Sequence, residues 1–194
     1  MVIVRAPVRI SFGGGGTDIA SYYTRHGGFI VSTAIARYAT VMASPRSDGQ
    51  IRITSADYGQ HEIFPCGCIP PVSEPLSLPK SAIARFARHG LATTGIDLFM
   101  ASEVPPGTRL GSSSAMAVAL TRALAVYVGL DLTAREIAEI ACSLEIDYLG
   151  MPIGKQDQYA SAFGSLNTIQ FTTAGVTVTP LPLQAGTRQA LDER

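Results

Sequence analysis

Residues Pro105-Pro106-Gly107-Thr108-Arg109-Leu110-Gly111-Ser112-Ser113-Ser114-Ala115 run directly into an apolar stretch that ends near Val128. That junction constrains the fold more than any other feature of the chain. A helix this apolar has to be buried on most of its sides, while a loop of small residues leaves its first turn open to a ligand. The first-turn amides have no intrahelical acceptor, and the helix dipole adds roughly half a positive charge beside them. A polyphosphate can be held there without a crowd of lysines, and the serine hydroxyls remain free to meet a magnesium ion. A capped helix start with no ligand would use the same residues. No Gly-Lys-Ser/Thr follows, so the loop is not a Walker A sequence.

The surrounding pattern predicts an α+β fold, a mixed sheet packed on helices. Val8, Ile10 and Phe12 alternate with Arg9 and Ser11 and lead into Gly13-Gly14-Gly15-Gly16, a strand ending in a loop. Phe29 to Ala43 reads as a second strand, followed by a turn over 44–49 and short strands near 50–56 and 61–64. Five prolines between Pro65 and Pro79 predict an irregular surface loop. A helix over 81–90, a strand over 96–104 and the long helix from about Ser113 to Val128 follow. Thr133 with Glu136 is a capping box, opening a helix that runs to Leu149 before Gly150 and Pro152. A short helix around Tyr159 and a hairpin of 166–171 with 176–181 complete the chain. Strands and helices mix without regular βαβ alternation, which favours α+β over a doubly wound sheet.

Charge and cysteine usage exclude several classes of function. Fifteen basic residues balance fifteen acidic ones, so nothing holds a nucleic acid by a broad positive field, although a few convergent charges and amides suffice for a small phosphorylated ligand. The opening residues carry Arg5 and Arg9 and no small-residue cleavage site, so they do not read as a signal peptide, and no apolar run is long enough for a membrane span. Cys66, Cys68 and Cys142 suggest neither a disulfide framework nor a zinc site, which fits a reducing cytoplasm. His26, His61 and His89 have no partner at metal-ligand spacing and receive no role.

Two further segments carry chemistry. Ala6-Pro7-Val8-Arg9 followed by Gly14-Gly15-Gly16-Thr17-Asp18 brings a cation on a strand and a carboxylate beside exposed backbone, acceptors of the kind that sugar hydroxyls need. A glycine turn with a solvated aspartate is the plainer alternative. Gly150 to Tyr159 places Asp157 at the start of a short helix, twelve residues after Glu145 near the end of the preceding one. One acid can hold a metal while the other deprotonates a hydroxyl nucleophile, as phosphoryl transfer requires. Ordinary helix-end and surface charges would also account for both.

In this order, the three segments resemble the N-terminal signatures of the GHMP kinases, whose members include galactokinases, homoserine kinases, mevalonate kinases and phosphomevalonate kinases. Ala6-Pro7-Val8-Arg9 is similar to the family's Ala-Pro-Gly-Lys/Arg with Val8 in place of glycine. The 105–115 segment resembles its phosphate loop, Pro-x-x-x-Gly-Leu-Gly-Ser-Ser-Ala, with Arg109 replacing a glycine. The resemblance implies the GHMP N-terminal fold, which is ribosomal-protein-domain-like, over 1–194. It further implies ATP and Mg2+ as cofactors, with Pro106, Gly107, Leu110, Gly111, Ser112, Ser113, Ser114 and Ala115 around the nucleotide. Ser113 and Glu145 would hold the metal, Asp157 would be the base, Arg9 would stabilise charge at the attacked hydroxyl, and Gly15, Gly16, Thr17 and Asp18 would meet the sugar.

Gly-Gly-Gly-Thr-Asp at 14–18 and Gly-Lys-Gln-Asp-Gln-Tyr-Ala at 154–160 look most like D-glycero-D-manno-heptose 7-phosphate kinases, whereas galactokinases usually show Gly-Glu-His-Thr-Asp and Gly-Ile-Met-Asp-Gln. The implied reaction is transfer of the ATP γ-phosphate to the anomeric hydroxyl of a heptose 7-phosphate. A fucokinase-like or other sugar-1-kinase is the runner-up, and a non-catalytic sugar or nucleotide sensor the alternative from another class. Family members continue into a C-terminal domain that is absent here, so the chain is expected to be a truncated half that works poorly alone, pairs with a separate C-terminal chain or self-associates. Lys80, Arg85, Arg25 and Lys155 are the cations left over for a substrate phosphate, and the proline-rich loop is the expected neighbour of adenine.

Overall fold

One nineteen-residue strand organises the molecule. The computed structural model describes residues 1–68, 72, 75–91, 95–105, 107–184, 186, 187 and 190. β2 (Gly28–Arg46) is rich in β-branched and aromatic residues and pairs antiparallel with β1 (Val2–Gly13) along most of its length. Beside the carboxyl half of β2 lies β5 (Gly95–Ser102), and beside its amino half β6 (Leu166–Thr172), both antiparallel. β3 (Gln50–Ser55) pairs parallel with β5 and antiparallel with β4 (Gln60–Pro65), and β7 (Gly175–Pro180) forms a hairpin with β6. The sheet order is β4-β3-β5-β2-β6-β7 with β1 on β2, a mixed sheet as the α+β reading requires.

Helices pack on the sheet through residues that alternate along its strands. Ile51, Ile53, Ile96, Leu98, Val41 and Ala43 are fully buried in one cluster with Leu120, Leu124, Ile83 and Phe86. α3 (Ser112–Tyr127) buries ten residues, mostly alanines and leucines, so close-packed neighbours surround it. α2 (Ser77–Phe86) begins earlier than the proline count suggested and continues as a 3-10 turn to His89. Pro79 sits in its first turn, where no amide proton is missed, so the expected loop is shorter than 65–79. α1 (Ala20–His26) was not expected; it buries no residue and therefore leaves no apolar stripe to read.

Two irregularities aim side chains. The register of β1 against β2 shifts between Pro7 and Arg9 and again between Ser11 and Gly13. Ala6 and Val8 are buried, but Ile10 and Phe12 are 41% and 60% exposed, contrary to a simple period of two. The irregularity instead turns Arg9 toward the helices. The second irregularity ends α4 (Ala134–Ser143), which continues not as α-helix to Leu149 but as a π-helical turn over Leu144–Tyr148. That wider turn carries Glu145 into the interior. α5 (Gln156–Phe163) follows. Among the described residues, no helix is long and apolar enough to cross a membrane.

Thr133 caps α4 as the sequence implied: its hydroxyl accepts from the Glu136 amide and the Glu136 carboxylate accepts from the Thr133 amide. Thr133→Ala should therefore cost about 1 kcal/mol, read as a fall of roughly 2–4 °C in thermal midpoint. An unchanged midpoint would mean that tertiary packing alone sets the start of α4.

Candidate active site

The amino terminus of α3 is an uncapped helix start. Gly111, at the N-cap, is left-handed (φ 76°), and no side chain accepts from the first-turn amides. No acidic residue occupies that turn. Ser112, Ser113 and Ser114 thus present amides to whatever occupies the loop, while the Ala115 amide already donates to the Gly111 carbonyl at 2.9 Å. Ala115 is fully buried and packs with Val8, Ala39 and Val104, with the partly buried Leu110 against them. Gly107 and Ser113 are exposed, and Pro106 lies outside the described residues. Arg109, which stands where the family pattern has glycine, adopts the left-handed φ of 60° that glycine takes easily. Its side chain is exposed and its carbonyl accepts from the Arg9 guanidinium at 3.1 Å.

Arg9 and Asp157 meet at the edge of this loop. The Nε and Nη2 atoms of Arg9 lie 2.7 and 2.6 Å from Asp157 Oδ1, with the two side chains 12% and 23% exposed. Burial raises the proton affinity of Asp157 above the usual carboxylate range, and the Arg9 charge opposes that rise. Gly111 faces Asp157 so closely that a Cβ there would come 2.9 Å from Oδ2, which places the carboxylate against the backbone at the start of α3. The bulge in β1, the glycine at the helix start and the first turn of α5 together create this contact.

Glu145 lies fully buried behind Ser113. The Ser113 hydroxyl donates to Oε1 at 2.6 Å, and the Gln158 carboxamide donates to Oε2 at 2.6 Å. Burial raises its pKa, with the hydrogen bonds from Ser113, Ser114 and Gln158 pulling the other way. The glycine loop approaches from the other side. Asp18, read from the sequence as either solvated or open to sugar hydroxyls, is 2% exposed. Its oxygens accept from the amides of Gly16 at 3.1 Å and Gln156 at 2.9 Å, so it fastens the loop to the start of α5. Gly154 makes room for it, since a Cβ there would fall 1.9 Å from Oδ2. Thr17 is tied to the start of β2: its hydroxyl accepts from the Phe29 amide and donates to the Phe29 carbonyl. Gly15 and Gly16 remain exposed.

A cavity of about 420 Å3 opens at Ser112 and Ser113. Asp57, Tyr58 and Gln60 at the β3–β4 turn line it opposite Leu76 to Pro79 of the proline-rich segment. The sequence pointed to the prolines but gave no signal for residues 57–60, which form a polar hairpin turn without a motif. Lys80, one of the leftover cations, is buried against Glu62 at 2.8 Å, and Lys155 lies over the Tyr23 ring.

Buried Glu145 sets a stability prediction. A carboxyl whose folded pKa is raised favours folding below that value, and its contribution is lost as pH rises through it. Glu145→Gln should raise the thermal midpoint at neutral pH by roughly 2–4 °C, about 1 kcal/mol, and the gain should shrink at pH 4. An equal or lower midpoint at neutral pH would show the carboxylate fully compensated by its partners.

The chain is similar to known proteins along its length. Residues 77–165 match the model of the GHMP kinases N terminal domain. The D-glycero-alpha-D-manno-heptose 7-phosphate kinase of Campylobacter jejuni is 31% identical over 192 residues, covering 98% of this chain and 57% of that protein. A galactokinase of Roseiflexus is also 31% identical, over 84% of this chain and 40% of its own length. The chain thus spans about half the length of these curated relatives. The crystal structure of a D-glycero-D-manno-heptose 1-phosphate kinase from Bacteroides thetaiotaomicron superposes with a TM-score of 0.91 at 30% identity, covering 100% of this chain and 63% of that one. The galactose complex of Lactococcus lactis galactokinase, at 23% identity and a TM-score of 0.75, shares the fold. By sequence over residues 77–165 and by fold throughout, the chain carries a GHMP kinase N-terminal domain.

Proposed function

We propose that this chain is the nucleotide- and acceptor-binding part of an ATP-dependent sugar kinase, acting on the anomeric hydroxyl of D-glycero-D-manno-heptose 7-phosphate to give the 1,7-bisphosphate. The observation that carries the reading is Asp157, paired with Arg9 and pressed against Gly111 at the start of α3. A proton acceptor and an anion-binding helix terminus then face one point in space, the arrangement phosphoryl transfer needs. The uncapped amides of Ser112 to Ser114 suit the ATP phosphates, and the adjoining cavity has the volume of a nucleoside site, with the exposed Tyr58 ring available to stack on adenine.

The residues also suit magnesium. Ser113 Oγ and Glu145 form a hard oxygen pair, and this ion takes one or two protein ligands while keeping waters and phosphate oxygens. When bound it would neutralise phosphate charge. The acceptor oxygen forms its bond to the γ-phosphorus as that phosphorus loses its bond to the β–γ bridging oxygen, and ADP departs. Asp157 takes the hydroxyl proton, and the Arg9 guanidinium fixes its carboxylate and sits close to the developing charge. Because burial raises the pKa of Asp157, turnover should fall as pH drops, and at a higher pH than for an exposed aspartate.

The heptose phosphate reading rests on the Campylobacter relative matching 98% of the chain, against 84% for the Roseiflexus galactokinase at equal identity. A galactokinase-type specificity is the second reading, prompted by that equal identity. We place the reaction in the cytoplasm, with a second domain, on this polypeptide or another, completing a cleft that excludes water.

The test is ATP consumption by the chain, alone and with whatever coding sequence follows it, against heptose 7-phosphate, mannose, fucose and galactose. Turnover is expected with heptose 7-phosphate, and Asp157→Asn should lower kcat by about 10^2–10^4 while nucleotide affinity stays within a few fold. Turnover of galactose alone selects the second reading. ATP binding with no turnover of any sugar in either form replaces the kinase by a ligand-binding role.

A further inference from the structure

The side chain that the proposed chemistry leaves unused is Gln158. It is fully buried, and its carboxamide nitrogen donates to Glu145 Oε2 at 2.6 Å. Its carbonyl oxygen is buried as well and has no hydrogen-bond partner among the described residues. A buried acceptor left unpaired is destabilising, whereas a methionine of similar volume would incur no such cost. An amide at this position is therefore explained by its nitrogen end.

That end completes a chain of contacts. Ser113 holds one oxygen of Glu145 and Gln158 holds the other, so the carboxylate plane is fixed from both sides within a turn of the α3 amino terminus. The π-helical turn delivers Glu145 to the interior but places no cation beside it; among the described residues its hydrogen-bond partners are hydroxyls and an amide. With no charge to orient it, the carboxylate is oriented by hydrogen bonds. Gln158 is also the neighbour of Asp157 on α5, so one turn of helix carries the group that meets Arg9 and the group that meets Glu145.

We propose that Gln158 is a positioning residue that fixes the Glu145 carboxylate for the divalent cation accompanying the nucleotide. The inference rests on the reading of Ser113 and Glu145 as the metal pair. Being fully buried against Glu145, Gln158 acts through it, as partners of ligating carboxylates do when they set ligand orientation and cost about 10–100-fold in metal affinity on removal.

The test measures Mn2+ binding by electron paramagnetic resonance in the presence of a non-hydrolysable ATP analogue. It uses the form of the chain that binds nucleotide in the preceding experiment, with analogue affinity in EDTA as the metal-free control. Gln158→Met, which keeps the volume and removes both the donor and the unpaired oxygen, should weaken Mn2+ binding about 10–100-fold and leave metal-free analogue affinity within twofold. Gln158→Asn, which withdraws the same amide by one methylene, is expected to show a smaller loss in the same direction, and serves alone if the methionine variant does not fold. Unchanged Mn2+ affinity in a folded variant overturns the inference while leaving the metal pair standing. Equal loss of metal-free analogue affinity also overturns it, assigning Gln158 to packing of α5. Absence of Mn2+ binding in the unmodified chain that binds the analogue overturns the metal reading itself and this inference with it.

Discussion

The contact between Arg9 and Asp157 joins residues 148 apart in sequence and fixes the geometry around it. Arg9 also reaches the backbone of the loop before α3, through its amide to the Leu110 carbonyl and its guanidinium to the Arg109 carbonyl. One side chain therefore ties β1, the loop before α3 and the first turn of α5 together. The pair is too sheltered to be a surface ion pair, and removing either member would leave a poorly solvated charge behind. The shift in β1 after Pro7 and the absence of a side chain at Gly111 are the local conditions for that contact.

Three carboxylates converge near one helix terminus, and each is compensated by different means. Asp157 has a guanidinium, Asp18 has two backbone amides, and Glu145 has a hydroxyl and a carboxamide. Like charges brought together out of water disfavour one another's ionisation, and for Asp157 the nearby Asp18 acts in that direction. For Glu145 and Asp157 burial opposes ionisation, so both carboxylates stand where a neutral group would cost folding less.

The parts of the fold legible in the sequence are those set by local rules. The capping box at Thr133, the apolar run of α3 and the terminal hairpin lie close to where pattern and turn chemistry put them. The parts that were not legible depend on pairing between distant segments. A register shift in β1 cannot be seen without β2, and alternation alone assigns Ile10 and Phe12 to the interior where the sheet leaves them exposed. The π-helical turn after Ser143 has no sequence mark, yet it buries Glu145, which pattern alone could equally read as a surface charge. Gln156 and Gln158 flank the expected base, and nothing in their spacing distinguishes a fully buried amide from a solvated one.

Asp18 shows how a motif residue takes on a structural meaning that its motif does not announce. Its oxygens hold the amides of Gly16 and Gln156, and Gly154 gives it space, so the glycine loop and α5 are joined at the residue before Asp157. A shift of the glycine loop would pass through that joint toward the carboxylate that faces Gly111. Under the proposed sugar kinase function, the same geometry would bear on acceptor recognition. Each oxygen of Asp18 has one bond made and a lone pair left, so a sugar hydroxyl that reached it would add to an existing network without having to order a free side chain. The conformational cost of arranging that acceptor would then be borne by folding, because the Gly16 and Gln156 amides already hold it.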